Sequence, residues 1–233
     1  MEFIAEIGMN HNGNFGLIPE LIKQAAYSGA DFAKFQLGWR DKKGEINALQ
    51  SNDLIQIFRY CEYYCIKPLF SVIHEEAWKL LTDVTKSICT VKIASRTLVE
   101  NHSLIEKITE SVPRVIISTG MINKSKLNEY KYINAEYLWC QSKYPLHTFD
   151  IEEFPLSFSE KTFVGISDHT IDLSLSLISI CRGATLIERH FTLDKSDNTI
   201  RDHALSSTPS EFTTLVRTGR EIYRTINLIN NKR

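Results

Sequence analysis

Leu173-Ser174-Leu175-Ser176-Leu177-Ile178-Ser179-Ile180 is the stretch on which the fold turns. Apolar and polar residues alternate along most of it, the period of a half-buried strand. Yet it lies between two other strand-like runs, Phe163–Asp168 and Thr185–Phe191. Six more such runs stand upstream: Phe3–Gly8, Asp31–Gln36, Pro68–Ile73, Val91–Ser95, Arg114–Thr119 and Glu136–Ser142. Each is followed by a segment able to form a helix, and a helix at 173–180 keeps that repeat whole. Helical spacing is plain in Leu17, Ile18, Leu21, Ile22, Ala25 and Ala26, then in Leu54, Phe58, Cys61 and Cys65. Ala77, Leu80, Leu81 and Val84 give a third stripe. Phe212, Leu215, Val216, Ile222 and Ile226 give the last, behind the capping signal Thr208-Pro209-Ser210-Glu211. Connections of helix length imply parallel strands, and eight units favour closure. The expectation is an α/β protein, one (β/α)8 TIM barrel spanning residues 1–233 as a single domain.

A chain of 233 residues is long enough for such a core. Formal net charge is −1 and no block of like charge occurs, which speaks against nucleic acid or a polybasic membrane contact. Five cysteines (Cys61, Cys65, Cys89, Cys140 and Cys181) show no disulfide framework. Cys61 and Cys65, four apart on one expected helix, suit core packing better than a zinc clip. No signal peptide or membrane-length apolar run is visible, so a cytoplasmic protein is expected.

Polar side chains recur at the ends of the strand runs. Glu6 precedes the loop Asn10-His11-Asn12-Gly13; Lys34 and Gln36, Ser71, Lys92 and Ser95, then Ser118 close the next four. Cys140, Ser142 and Tyr144 alternate on the sixth, Ser167 and His169 on the seventh, Glu188 and His190 on the eighth. Alternate strand residues share a face, and the C-terminal mouth of such a barrel is where catalysis usually sits.

Lys34 and Lys92 stand inside apolar runs, where an unpaired ammonium is costly. They imply an anionic ligand; salt bridges to Glu6 or Glu188, outward-pointing lysines, or a Schiff-base nucleophile are the other readings. His169 and His190 at adjacent strand ends, with Glu188 and Asp168 nearby in sequence, read as ligands for a divalent metal. His11 and His203 are further candidates for polar contacts, whereas His74, His102 and His147 read as loop or helix-surface residues.

At these residues the sequence resembles the N-acetylneuraminate (sialic acid) synthase family, which condenses phosphoenolpyruvate with an N-acylated amino sugar. The matching stretches are 5–13 (AEIGMNHNG), 29–36 (GADFAKFQ), 92–95 (KIAS), 118–121 (STGM) and Tyr144-Pro145. They continue with 165–170 (GISDHT), Gly183-Ala184, 187–194 (IERHFTLD) and Asp202-His203, in collinear order over nearly the whole chain. The resemblance implies that Lys34, Lys92, Ser95, Ser118, Ser142 and Ser167 bind phosphoenolpyruvate. It implies a divalent metal, manganese or magnesium, on His169 and His190, and an acceptor facing Tyr144, Glu188 and Asp202. Glu6 and Asn10 join the acceptor set, and Glu188, Lys34 and Lys92 are the catalytic candidates.

The sequence also departs from that family. Its members usually continue into a small C-terminal antifreeze-like domain that completes a partner's sugar site, whereas this chain ends at Arg233 after the last expected helix. The segment after the second strand is short, roughly Leu37–Ser51. Val72-Ile73 replaces Thr-Pro, Arg96 replaces a glycine, and Ser142 stands where some members carry Asn. The small-molecule partners expected are phosphoenolpyruvate and an aldose or amino sugar, with a homodimer or a separate lid-supplying chain as assembly. Two other functions stay open: a Schiff-base aldolase on Lys34 or Lys92, and a non-catalytic anion-binding barrel that needs a partner.

Overall fold

The computed structural model of the chain describes residues 1–38 and 44–231, so part of the short segment after the second strand lies outside the described residues. Eight strands, β1 (Glu2–Gly8), β2 (Phe32–Leu37), β3 (Lys67–Val72), β4 (Thr90–Ile93), β5 (Arg114–Ser118), β6 (Ala135–Cys140), β7 (Gly165–Asp168) and β8 (Leu186–His190), close in sequential order. Every neighbouring pair is parallel, including β1 with β8. The expected (β/α)8 barrel is what the chain forms.

Helices α1 (Ile18–Tyr27), α2 (Ser51–Tyr63) and α3 (Glu75–Val84) follow the first three strands. A pair, α4 (Ser95–Glu100) and α5 (His102–Ser111), follows β4; α6 (Ser174–Cys181) follows β7; α7 (Asp202–Leu205) and α8 (Pro209–Asn230) end the barrel. The Thr208–Glu211 capping box opens α8 as its sequence signals. The strand-like alternation of 173–180 is a helix. Ser176 and Ser179 lie fully buried beside Leu175 and Ile180, their hydroxyls bonded to Asp168 and to the Leu175 carbonyl. The serines thus belong to the packed face, whereas Ser174, Ile178 and Cys181 face solvent, so polar and apolar residues do not sort between the two faces.

Four expectations need correction. The connections after β5 and β6 carry only 3₁₀ turns, Lys124–Tyr130 and Thr148–Asp150, in place of α-helices. Pro145 and Pro155 break the second of them, since proline lacks the amide a helix requires. Strand β6 ends at Cys140, leaving Ser142 and Tyr144 beyond it, and Ser95 opens α4 instead of closing β4. Cys65 lies past the end of α2, exposed and with φ 54°, so of this pair Cys61 alone packs in the core.

The barrel interior is layered. Ile4, Phe32, Leu69, Ile116, Leu138, Val164 and Leu186 form a separate buried apolar cluster at the N-terminal end. Beneath it Arg114 pairs with Glu2 and Glu136, both at 2.7 Å, and the Phe32 ring meets Lys67 and Arg114. Two residues after Ile4, Phe32, Leu69, Ile116 and Leu186 the inward side chains turn polar, at Glu6, Lys34, Ser71, Ser118 and Glu188. An apolar floor therefore confines the polar layer to one opening, at the C-terminal mouth. No helix of the described residues is long and apolar enough to cross a membrane.

Candidate active site

The polar layer opens into a cavity of about 860 Å³. Its wall includes Glu6, Lys34, Ser71, Lys92, Ser95, Ser118, Ser142, Tyr144, Ser167, His169, Glu188, His190 and Asp202. Alternation places these groups. Ile4, Phe32 and Leu186 face the floor, so Glu6, Lys34 and Glu188, two residues on, face the same interior one step higher. A register shift in β1 between Glu6 and Gly8 then turns the chain, with Gly8 at φ +56°. A Cβ at Gly8 would lie 3.2 Å from both Gln36 Nε2 and Glu6 Oε1, crowding a hydrogen bond of 2.7 Å between those two side chains.

Both lysines point inward, which removes the outward-facing reading, and both are at least 97% buried. Lys34 Nζ lies 2.8 Å from Glu6 Oε2 and 3.4 Å from Glu188 Oε2, and donates to Ser71 Oγ at 3.2 Å. The salt-bridge reading of Lys34 is therefore realised within the cavity wall. Lys92 is less well paired. It donates to Ser118 Oγ (2.6 Å) and the Ile93 carbonyl (3.0 Å), while its closest carboxylate oxygen, on Glu188, is 3.8 Å away. Burial penalises both ammonium groups, but Glu188 and Glu6 outweigh it at Lys34 and raise that pKa. At Lys92 burial prevails over the pull of Glu188, and the pKa falls to about 8. Burial would raise the Glu188 carboxyl; Lys34, Lys92 and the Ser167 hydroxyl (2.7 Å) instead hold it at about 2. The layer thus carries two ammonium groups against two carboxylates, with Lys92 the cation left short of a close counter-charge.

Across the mouth stand His169 and His190, ring centroids 5.5 Å apart. Nδ1 of His169 is anchored on the Gln141 carbonyl at 3.1 Å, so in the neutral ring that nitrogen carries the hydrogen and Nε2 keeps a lone pair. Burial lowers the pKa of His190, favouring a neutral ring, and its Nδ1 lies 4.0 Å from Asp202 Oδ2. Among the described residues no three His, Cys, Asp or Glu side chains converge into a metal cage. Two imidazoles, one with its second nitrogen tied to a carbonyl, suit a divalent cation whose remaining positions are open to substrate and water. The Tyr144 ring lies 4.2 Å from His169 and 6.2 Å from His190, under the guanidinium of Arg201 at 4.6 Å.

The structure brings together the lysines, the serines, Glu6, Tyr144, Glu188, Asp202 and the histidine pair. It does not bring Asn10 to the cavity wall, because its amide donates to the Phe191 carbonyl (2.9 Å) and Ser206 Oγ (3.1 Å). Asp168 points out of the barrel to Arg189 at 2.7 Å and does not join the histidines. His203 makes polar contacts with Thr192 and Asn12, whereas both ring nitrogens of His11 are buried without a hydrogen-bond partner. Ser95 Oγ accepts from the Gly120 amide, and Ser142 reaches the wall from the loop after β6. Sequence reasoning missed His74 and Arg201, both on the wall. Each sits in a connecting loop, where no periodicity tells which way a side chain points.

The profile of the NeuB family matches residues 42–228. An N,N'-diacetyllegionaminic acid synthase of Campylobacter jejuni is 30% identical over 260 residues, covering 95% of this chain and 76% of its own length. The human N-acetylneuraminate-9-phosphate synthase is 29% identical over 256 residues, with 96% and 70% covered. An N-acetylneuraminic acid (sialic acid) synthetase of Leptospira borgpetersenii, solved with citrate, superposes with a TM-score of 0.82 over 96% of this chain and 84% of its own. At 24% identity that last likeness concerns the fold.

Proposed function

The chain belongs to the NeuB family, whose named relatives are sialic acid-type synthases, and on that premise we propose that it condenses phosphoenolpyruvate with an amino-sugar or other aldose acceptor. C3 of phosphoenolpyruvate bonds to the acceptor's aldehyde carbon, water adds at C2, and inorganic phosphate leaves, giving a 2-keto-3-deoxy sugar acid. The observation that carries this reading is Lys92, a buried ammonium without a close carboxylate, beside Lys34 and facing the histidine pair across one cavity. An anion on Lys92 and Lys34 gains the charge-assisted hydrogen bonds that the carboxylates leave unfilled, with the Ser95, Ser118 and Ser142 hydroxyls completing its shell. Ser167 serves that site through Glu188, which it holds ionised. His169 and His190 would hold the divalent cation, manganese or magnesium, and when bound that ion supplies Lewis-acid polarisation of the acceptor's carbonyl. Tyr144, Asp202 and Glu6 line the acceptor side, and Glu188, between the two lysines, is the proton carrier.

Phosphate release from phosphoenolpyruvate, followed with manganese over a panel of N-acylated amino sugars and simple aldoses, should depend on the acceptor. It should cease with chelator, and in His190→Ala should fall by at least roughly 10²-fold, the scale on which loss of a metal site acts. Release that ignored chelator would remove the metal from the reading. Silence across the panel, with phosphoenolpyruvate bound, would favour the non-catalytic barrel.

One observation favours a second reading. A lysine pKa of about 8 gives Lys92 a share of free amine near neutrality, as a Schiff-base aldolase requires. Borohydride with pyruvate or another carbonyl substrate should leave the chain mass unchanged if the synthase reading holds. A stable adduct on Lys92 would replace that reading with the aldolase.

A further inference from the structure

Arg189 lies between Glu188 and His190 on β8 but points the opposite way, out of the barrel, and is 1% exposed. Nη1 donates to Asp168 Oδ2 (2.7 Å) and the Asp172 carbonyl (2.8 Å), Nη2 to the Thr170 carbonyl (2.8 Å), and Nε to Ser207 Oγ (3.0 Å). Asp168 is itself fixed, since Oδ1 accepts from the Thr170 amide (2.9 Å) and hydroxyl (2.7 Å), and Oδ2 from Ser176 Oγ on α6.

These partners lie on two segments, which Arg189 joins to its own strand β8, and each of the three carries an inward-facing group of the site. Residues 168–172 flank His169. Strand β8 carries Glu188 and His190. Ser207, whose amide donates to the His190 carbonyl at 2.8 Å, ends the connection that carries Asp202. Apolar residues of similar volume would fill such a space at equal or lower free-energy cost than a buried ion pair. What they would lack is direction, because only a planar fork with five donors fixes three backbones at set angles.

We propose that Arg189 is the positioning residue of the histidine pair: its fork, from outside the barrel, sets the separation and orientation of His169 and His190. The proposal rests on the reading of that pair as the cation-holding site, and deepens it. Removing the fork unties 169–172, beyond the end of the β7–β8 ladder, from β8, so the two rings lose their fixed relation although neither is touched.

The test compares Arg189→Lys, which keeps charge and reach to Asp168 but not the fork, with Arg114→Lys at the opposite mouth of the barrel. Three readouts are taken: Mn²⁺ affinity by calorimetry, the ring resonances of labelled histidine, assigned with His169→Gln and His190→Gln, and steady-state kcat and KM. Arg189→Lys should bind Mn²⁺ roughly 10- to 100-fold more weakly, the usual effect of removing a group that orients metal ligands. Its His169 and His190 resonances should shift or split, and kcat should fall by more than KM for phosphoenolpyruvate rises. Arg114→Lys should lose thermal stability with none of these changes. If Arg189→Lys does not fold, Ser207→Ala, which removes only the Nε acceptor, should show the same changes in smaller degree. Unmoved ring resonances with Mn²⁺ affinity within about twofold of the native protein would overturn the proposal. Should the native protein bind no Mn²⁺, the metal reading falls, and the ring resonances alone decide for or against Arg189.

Discussion

Lys92→Met should abolish turnover, by at least roughly 10³-fold in kcat/KM, and yet leave the ligand-free protein as stable as the native chain or more so at neutral pH. The two effects have one cause. In the proposed reading Lys92 awaits the substrate anion, and in the structure its nearest carboxylate oxygen is 3.8 Å away. Its pKa in the folded chain, about 8, lies below the ordinary 10.5. Between those values the unfolded chain binds the proton and the folded chain does not, so stability rises with pH through that window. Below about pH 8 the buried ammonium is a standing cost, and the gap corresponds to about 3 kcal/mol at most. Chemical denaturation from pH 7 to 10.5 should show this rise in the native protein and its loss in Lys92→Met. Lys34→Met should behave in the opposite way, because it strips both Glu6 and Glu188 of their closest cation and should cost about 3–5 kcal/mol. If both substitutions destabilised alike, the assignment of Lys92 as the uncompensated anion receptor would be wrong.

Glu188→Gln should lower kcat by roughly 10²–10⁴-fold, the range for loss of a group that moves protons, with the fold retained. Glutamine keeps the shape and can still accept from the Ser167 hydroxyl at the position of Oε1. It also removes the one carboxylate that counters the burial of Lys92 most strongly, so that ammonium should lose its proton at still lower pH. KM for phosphoenolpyruvate should therefore rise near pH 8 and recover towards pH 6, a dependence weaker in the native protein. A higher KM with kcat unchanged would make Glu188 a counter-ion and leave the proton carrier to be found elsewhere. The carboxyl, held at about 2, adds stability that is complete above the ordinary glutamate range and is lost as pH falls towards that value.

Much of this site is legible in the sequence. The parity of Ile4 and Glu6, of Phe32 and Lys34, and of Leu186, Glu188 and His190 already put an apolar floor below a polar layer, because a strand repeats every two residues whatever its neighbours. The same parity would have sent Asp168 outward, opposite to Ser167 and His169; that signal was present and outweighed by nearness in sequence. Asn10 is different. Its loop gave no period to read, and its amide is taken by Phe191 and Ser206, far along the chain. His74 and Arg201 were hidden for the same reason. Arg189 left a faint mark, as an arginine within a buried strand must be paired, but its partners at 168, 170, 172 and 207 were not deducible.

Local order along the chain, then, determined the eight repeats, their closure into a barrel, the end at which the polar groups gather and the residues that face inward. Periodicity and burial of apolar faces act over a few residues, and one sequence states them in full. The tertiary structure decided which carboxylate meets which lysine, and that Lys34 is satisfied while Lys92 is not. It decided as well that one guanidinium outside the barrel joins the segments bearing both histidines. Those outcomes depend on ångström separations between side chains brought together from distant segments, and charge interactions in a buried layer change sign of effect over that distance.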